Sequence, residues 1–504
     1  IKARIVRHHG ARFRSAPLAR HIAYLERDGV TRDGRDASLF DAGAERADGD
    51  AFAARCADDR HHFRFIVSPE DAGELGDLRA YTRELMSDMA RDLGTPLDWV
   101  AVDHWNTGNP HVHVLVRGVA GDGADLVIDR GYMSHGLRDR AEARATLELG
   151  PRTEREIEQA LRREVEADRW TSLDRQLAAR ADEYGAVDLR PEAGAAAGRR
   201  DLLLTGRAQK LERLGLAVSA GPGRWTLKPH LEATLRELGD RGDIIRTMHR
   251  TMQTAGHTIH ESRLAIHAAL PAEPVIGRLV ERGLQDELTG TAYAVVDGAD
   301  GRHHHLRFRT LELTGDAHPG AIVELRQWQD RNGAARMSLA VRSDLPIEQQ
   351  IEARGATWLD RQLLGSDPSP ATRGFGAEIR SALVARQDHL VVEGMAIRRG
   401  GRVILAKDLI ETLRSGELRE AAARIAARTG LTPGDAPPGS PVAGIYRERV
   451  TLASGRFAMI DNGLGFQLLP WRPALESRLG QSVTGTITPG GVDWTLGRSR
   501  GLGI

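Results

Sequence analysis

The sequence predicts an α+β fold whose N-terminal part is an antiparallel sheet with helices on it. Two observations support this class. Within residues 1–150, segments that alternate like strands are interleaved with segments of helical spacing. Two apolar segments at 99–102 and 112–116 flank a loop of turn-forming residues at 106–110, which is typical of antiparallel neighbours. Helices interleaved with antiparallel strands make an α+β domain.

The elements of this first domain follow from local patterns. A first strand is expected at residues 2–7, followed by a helix that opens at Pro17 and carries Leu18, Ile22 and Leu25 at helical spacing. A strand at 63–67 precedes a second amphipathic helix, which Gly94 ends. The strands at 99–102 and 112–116 complete the sheet.

The remaining chain divides by composition. A length of 504 residues exceeds what one hydrophobic core supports, so several domains are expected. No tandem repeat of fixed period is visible. The expected segments are the first domain at 1–150, a charged helical extension at 151–190, a helical domain with a helix and hairpin that resemble part of a winged helix at 199–270, a strand-rich small barrel at 275–345, a helical region at 346–430 and a strand-rich C-terminal region at 431–504.

Composition excludes several classes of protein. Hydrophobic residues make up 41% and charged residues 28%, the profile of a soluble globular chain. No apolar run is long enough for a membrane span and no secretory signal opens the sequence, so a cytoplasmic protein is expected. The single cysteine, Cys56, excludes an internal disulfide framework and a cysteine-cluster metal site.

Charge is informative in its distribution and not in its total. Lys+Arg and Asp+Glu both number 70, so the net charge predicts no nucleic-acid partner. Residues 1–20, however, contain six basic side chains and no acidic one, a patch of the size that contacts phosphates. A solvated strand and loop would explain the same pattern. The candidate DNA-binding residues in this patch are Arg7, Arg12, Arg14 and Arg20.

Three histidines form the most informative pattern in the sequence. His111 and His113 are separated by one residue on an expected strand, so both side chains lie on one face. His104 ends the preceding strand. Three imidazoles on one sheet face predict a divalent metal site with open coordination positions, for Mn, Mg, Zn or Ni. A single histidine would more often be a core or surface residue, but three within ten positions favour the metal.

Other histidines carry less weight. His61 and His62 lead into a strand and are expected to be partly exposed. The three histidines at 303–305 lie in a polar hairpin-like segment, where a solvated turn is favoured over a metal site.

Tyr24 is the candidate nucleophile. It lies off the apolar stripe of the first helix and close to Arg20 in sequence, where a basic neighbour could lower the pKa of its hydroxyl. On the helix pattern alone, without the metal site, an ordinary amphipathic surface tyrosine is the favoured interpretation. Tyr132 is the competitor, because it opens a helix whose N-terminus could attract a phosphate.

The histidine segment His104-x-Asn106-x-x-x-Pro110-His111-x-His113 resembles the third motif of plasmid mobilization relaxases of the Mob/Vir type, in the HUH endonuclease group. The segment at 24–29, which begins Tyr-Leu, resembles their first motif, and the strand at 63–68 resembles the one before the metal motif. These similarities cover residues 1–150, in the family's order. The layout of the remaining chain resembles a subgroup with a C-terminal domain of unknown function.

The resemblance implies an HUH-type relaxase domain in which Tyr24 cuts one DNA strand at an origin of transfer and forms a 5′-phosphotyrosine intermediate. It also implies a metal held by His104, His111 and His113. Expected partners are single-stranded DNA, relaxosome accessory proteins and a type IV coupling protein. The expected location is the bacterial cytoplasm, with transfer to the recipient cell alongside the DNA.

One position departs from the family pattern. The family commonly has Asp where this chain has Asn106, so Asn106 or the neighbouring Asp103 is the candidate orienting residue. Asp103 should point to the opposite sheet face. The alternatives to a relaxase are a rolling-circle replication initiator or transposase with the same chemistry, a non-catalytic relaxosome DNA-binding protein, and a metallohydrolase that uses water.

Overall fold

The computed structural model describes most of the chain and divides it into two compact units, Ile1–Asp240 and Arg241–Ile504. It is 38% helical and 29% strand, which confirms the α+β class. None of the described helices has the length and apolar character needed to cross a bilayer. The described residues are 1–8, 16–26, 37–105, 110–191, 198–256, 261–267, 269–286, 288–330, 332–365, 369–435, 437, 439–488 and 491–495.

The first unit opens with a four-stranded antiparallel sheet, as expected. Its strands are hydrogen-bonded in the order β1-β2-β4-β3. They are β1 (Lys2–Arg7), β2 (His61–Val67), β3 (Trp99–His104) and β4 (His111–Arg117). The associated helices are α1 (Ala16–Leu25), α2 (Gly49–Arg55), α3 (Leu78–Leu93) and α4 (Leu137–Leu149), the last preceded by a π-helical turn at Tyr132–Gly136.

The two faces of this sheet bury different helices. Alternate residues of β3 and β4, Val100, Val102 and Leu115, pack with α1 and α2 in one apolar cluster. The intervening residues, such as Val112 and Val114, pack with α3 and α4 in another. The sheet therefore has an α1/α2 face and an α3/α4 face.

Helix α3 illustrates how local sequence sets these elements. The side chain of Asp77 accepts hydrogen bonds from the backbone N–H groups of Arg79 and Ala80, which satisfies donors at the helix start. Gly94 ends the helix with a φ of 65°, a left-handed conformation that glycine adopts without steric cost. The end at Gly94 matches the sequence expectation for this helix.

The rest of the first unit is a helical segment with a small sheet. It contains α5 (Glu154–Val165), α6 (Ser172–Arg180), β5 (Ala186–Asp188), α7 (Arg199–Arg213), β6 (Ala217–Gly221), β7 (Arg224–Leu227) and the start of α8 (Leu231–Thr254). The strand order is β5-β7-β6, so the expected helix and hairpin are present with one additional strand.

The second unit begins with a six-stranded sheet in the order β13-β12-β9-β10-β11-β8, with β8 and β13 at its ends. Residues 275–345, which were expected to form a small barrel, instead provide strands of this sheet, which has β8 and β13 at its edges. The strands are β8 (Leu264–Ile266), β9 (Ile276–Asp286), β10 (Thr291–Gly298), β11 (His303–Phe308), β12 (Ile322–Gln329) and β13 (Ala335–Ser343).

A helical region and a final sheet complete the second unit. The helical region contains α9 (Ile347–Ile351), α10 (Trp358–Leu363), α11 (Phe375–Val392), the hairpin β14 (Ala396–Arg399) and β15 (Arg402–Leu405), and α12 (Leu409–Thr429). The final sheet has the order β18-β17-β16-β19-β20. Its strands are β16 (Pro441–Leu452), β17 (Gly455–Asp461), β18 (Phe466–Pro470), β19 (Ser482–Thr488) and β20 (Gly491–Thr495).

Two expectations about histidines were wrong. The three histidines at 303–305 lie on β11 and are buried, where a solvated turn was expected. His303 is hydrogen-bonded to Asp297 at 3.1 Å, and His304 to Asp300 at 3.0 Å. His62, expected to be partly exposed, is also buried. Polar side chains can enter a core when partners within the protein replace water.

Candidate metal centre

The candidate metal centre is built on two adjacent strands. In the antiparallel pair β3–β4, His104 lies opposite His111, and Val102 lies opposite His113. Directly opposed residues share a face and side chains alternate along a strand, so all three histidines lie on the α1/α2 face. The loop at 106–109, which includes Asn106, lies outside the described residues.

The three rings lie close together and away from solvent. Their centroids are 5.5 Å apart for His104 and His111, 4.6 Å for His104 and His113, and 4.8 Å for His111 and His113. The three residues are 0%, 9% and 3% exposed for His104, His111 and His113. One nitrogen from each ring lies within 4.8 Å of the other two. The cluster could therefore hold a metal ion.

Hydrogen bonds indicate which nitrogens face the common point. The Nε2 atom of His104 lies 2.8 Å from the carbonyl oxygen of Leu25. A carbonyl only accepts, so Nε2 carries the proton and Nδ1 carries the lone pair that a metal needs. The Nε2 atoms of His111 and His113 are 3.0 Å apart. A histidine ligand commonly donates its other N–H to a backbone carbonyl in this way.

The donor set also restricts the metal. Three neutral imidazoles suit zinc or nickel, whereas magnesium prefers carboxylates and water. Three protein ligands leave coordination positions open for water or a substrate oxygen. The residues present therefore fit a transition-metal ion better than magnesium among the candidates Mn, Mg, Zn and Ni.

Asp103 lies on the α3/α4 face, as strand alternation predicts. It pairs with Val112, and its carboxylate accepts hydrogen bonds from Arg79 Nε at 2.8 Å and Trp105 Nε1 at 2.7 Å. The carboxylate of Asp103 is therefore paired with a basic side chain of α3. Of the two candidate orienting residues, Asp103 faces away from the histidines and Asn106 is not described.

Tyr24 lies on the same side of the sheet as the histidines. It is half-buried on α1 and packs at the margin of the cluster that contains Val102 and Leu115. The next residue, Leu25, is the last of α1 and provides the carbonyl that His104 contacts. The C-terminal end of the helix that carries Tyr24 is thus fixed against the histidine cluster.

Tyr132 has a different environment. It packs against the cluster on the α3/α4 face, and its hydroxyl donates a hydrogen bond of 2.9 Å to Asp92. Burial, followed by the hydrogen bond to Asp92, raises the pKa of Tyr132 well above its usual range. A phenol that is harder to ionise is a weaker nucleophile. The surroundings of Tyr132 are thus unfavourable for attack on a phosphate.

The basic residues of β1 divide between the two faces. Arg4 pairs with Arg64, which pairs with Leu115 of the α1/α2 face. Lys2 lies on the same face, in the cross-strand row that ends at His113. Arg7 falls on the opposite face by strand alternation. Arg12 and Arg14 lie outside the described residues, and Arg20 lies on α1 with its side chain undescribed.

Arg64 is a further candidate for phosphate contact on the α1/α2 face, and sequence reasoning missed it. A series of hydrogen bonds through His62 and His8 fixes its side chain. Its Nε donates to His62 Nε2 at 3.0 Å, and His62 Nδ1 lies 2.8 Å from His8 Nε2. His8 in turn donates from Nδ1 to the carbonyl of Asp59 at 2.7 Å. Burial, followed by the Arg64 charge, lowers the pKa of His62 to about 2, so His62 stays neutral and can accept from Arg64.

Comparisons with known proteins bear on the part of the chain beyond this site. No curated protein matches the chain, and no solved structure matches it. One family model, described as a protein of unknown function (DUF3363), matches residues 204–335 and 326–503. Neither range includes the histidine cluster, but together they cover more than half of the 504 residues. The chain therefore belongs to the DUF3363 family.

Proposed function

We propose that the protein is a relaxase of the Mob/Vir type, which cuts one DNA strand at an origin of transfer and later rejoins it during conjugative mobilization. The observation that carries the proposal is the contact between His104 Nε2 and the Leu25 carbonyl. It fixes the end of the tyrosine-bearing helix against three clustered imidazoles. A nucleophilic phenol close to a metal centre is the arrangement that strand transfer requires.

The charges on the same sheet face support a phosphate-bearing substrate. Lys2, Arg4 and Arg64 lie on cross-strand rows that continue to His113 and Leu115. A DNA strand laid along these rows would place phosphates against cations and lead toward the histidines. Contacts of this kind position the strand without reading its sequence.

The proposed reaction exchanges one phosphate ester for another. The phenolic oxygen of Tyr24 bonds to the phosphorus of a phosphodiester as the bond to the 3′ oxygen breaks. The 5′ side remains on the tyrosine, and the 3′ side leaves as a hydroxyl after taking up a proton. Reverse attack by that hydroxyl rejoins the strand without a nucleotide cofactor. A divalent ion held by the three histidines would supply positive charge beside the phosphoryl oxygens.

His21 is the residue that we assign to receive the phenolic proton. It is buried on α1, one turn before Tyr24. Side chains three residues apart on a helix lie on neighbouring parts of its surface. Imidazole accepts protons near neutral pH, whereas Asp103 faces the other side of the sheet. Sequence reasoning did not single out His21, because the helical pattern alone does not show that this residue is buried on α1.

This proposal also names the partners. The substrate would be single-stranded DNA at an origin of transfer, and the protein partners would be relaxosome accessory proteins and a type IV coupling protein. The protein would act in the bacterial cytoplasm and enter the recipient cell with the DNA. A rolling-circle initiator or a transposase would use the same chemistry on a different DNA element.

The proposal is tested by trapping the covalent intermediate. The protein is incubated with zinc, nickel or manganese and labelled single-stranded oligonucleotides that tile the element encoding it. A relaxase gives a labelled protein band that survives denaturation, together with a free 3′-hydroxyl fragment. Cleavage without attached DNA would instead identify a hydrolase that uses water, and binding without cleavage would identify a relaxosome DNA-binding protein.

A further inference from the structure

The same helix and hairpin module occurs in both units. The first copy consists of α6, α7 and the hairpin β6–β7, and the second of α10, α11 and the hairpin β14–β15. Each first helix carries the sequence Thr-x-Leu-Asp-Arg-Gln-Leu, at 171–177 and at 357–363. In both copies the threonine and the aspartate form a reciprocal capping box at the helix start.

A buried arginine holds each copy together in the same way. Arg207 Nε donates to Asp174 at 2.8 Å, and Arg386 Nε donates to Asp360 at 2.8 Å. All four side chains are fully buried. Each guanidinium also donates to the backbone carbonyls that lie nine, seven and five residues before the aspartate: Val165, Ala167 and Arg169 in the first copy, and Ile351, Ala353 and Gly355 in the second. Arg207 donates in addition to the carbonyl of Glu164.

The hairpins are attached to the second helices by matching bonds. Leu216 N–H donates to the Leu211 carbonyl at 2.8 Å, and Met395 N–H donates to the Leu390 carbonyl at 2.8 Å. The returning strands are tied by Lys228 to Leu216 at 3.0 Å and by Ala406 to Met395 at 2.9 Å. The hairpins of the two copies are therefore directly comparable.

The tips of the two hairpins carry different charge. In the first copy, Arg224 lies 3.0 Å from Asp188, which also pairs with Arg190. In the second, residues 396–407 contain four basic side chains and no acidic one. Arg399 and Arg402 face each other across a Gly400-Gly401 turn and are exposed. Within the described residues neither has an ion-pair partner, whereas Arg398 pairs with Asp388.

The exposed face of the second hairpin is suited to a polyanion. Cross-strand pairs share a face, so the Arg399–Arg402 pair and the Ile397–Ile404 pair lie side by side. Both isoleucines are exposed. Like charges opposed across a hairpin are destabilising in isolation, and a row of phosphates would relieve the repulsion. A two-stranded ribbon has the width that the major groove of duplex DNA admits.

We propose that the β14–β15 hairpin is a contact for duplex DNA, with Arg399 and Arg402 on backbone phosphates and Ile397 and Ile404 toward the groove. This function belongs to the DUF3363 part of the chain and does not depend on strand cleavage. The hairpin of the first copy, residues 217–227, carries a single arginine, and that arginine is ion-paired with Asp188. The duplicated framework thus carries a contact surface in only one of its copies.

The test compares matched arginines on the two hairpins of the full-length protein. Duplex DNA binding is measured in EDTA, so that cleavage plays no part, over a range of salt concentrations. Arg399→Ala with Arg402→Ala is expected to weaken binding on the order of tenfold and to reduce the slope of log affinity against log salt by about two. Arg224→Ala is the control and should leave both quantities unchanged, while Arg399→Lys with Arg402→Lys should retain most of the affinity.

Three results would overturn the proposal. The first is a double alanine variant that folds with an unchanged melting temperature and binds duplex DNA with the wild-type salt slope. The second is an equal loss from Arg224→Ala, which would mean that the second hairpin has no special role. The third is a hairpin-dependent affinity for duplex RNA or for an acidic protein with none for duplex DNA.

Discussion

His104 Nε2 and the carbonyl oxygen of Leu25 lie 2.8 Å apart, although 79 positions separate the two residues. This contact selects the His104 tautomer and fixes the end of α1 on the face that carries the other two histidines. It joins the two halves of the proposed active site, the nucleophile and the metal ligands.

Metal binding should depend on the three histidines. His111→Ala removes one of three imidazole nitrogens, so we expect zinc or nickel affinity to fall on the order of a hundredfold or more, and magnesium to bind weakly to both proteins. Metal content by mass spectrometry and calorimetric titration measure this directly. His318→Ala, at an exposed histidine far along the chain, is the control. Equal zinc affinity for wild type and His111→Ala would refute the site.

Two arginines on one strand should have different effects on DNA binding. Arg4 lies on the histidine face and Arg7 on the other, and both are exposed. Arg4→Gln should weaken single-stranded oligonucleotide binding and lower the salt slope by about one, because one phosphate contact is lost. Arg7→Gln should change neither. The same loss from both variants would show that the bound DNA strand does not run along the histidine face alone.

His21 should affect the pH dependence of the reaction. His21→Gln removes the proposed proton acceptor, so we expect the single-turnover rate of adduct formation to fall on the order of a hundredfold near neutral pH. The loss should shrink as pH rises, because hydroxide then replaces the imidazole. Rates measured across pH separate this role from a structural one. A uniform loss at every pH would assign His21 to packing alone.

The buried ion pair of the second unit should be essential for its stability. Arg386→Met leaves Asp360 and three backbone carbonyls without their donor in a fully buried position. Removing one partner of such a pair costs about 3–5 kcal/mol. Denaturant unfolding should show this loss, and Arg207→Met should produce a similar loss in the first unit. A change below about 1 kcal/mol in either variant would contradict the role of these pairs.

The fold and the histidine pattern were predictable where local periodicity determines them. His111 and His113 share a face because side chains alternate along any strand, and Gly94 marks the end of α3 because glycine adopts the left-handed conformation there. The sheet order and the two ends of the second sheet depend on pairings between distant segments. No local pattern specifies those pairings.

The missed features share a physical cause, since each depends on contacts between distant residues. In the sequence, Arg64 resembles any polar residue of a strand. Its pairing with Arg4 and its hydrogen bond to His62 become visible only in the fold. The histidines of β11 resemble a solvated turn because their partners, such as Asp297, become visible only in the fold. The repeated module shares one short sequence, Thr-x-Leu-Asp-Arg-Gln-Leu, and the strands of residues 264–343 lie between the two copies along the chain.

The identity of the residue joined to DNA tests the central claim most directly. A trapped complex is digested, and mass spectrometry locates the nucleotide on a peptide. We expect it on Tyr24, with Tyr24→Phe giving no adduct while still binding metal, and Tyr132→Phe retaining adduct formation. A nucleotide on Tyr132, or an undiminished adduct from Tyr24→Phe, would contradict the account.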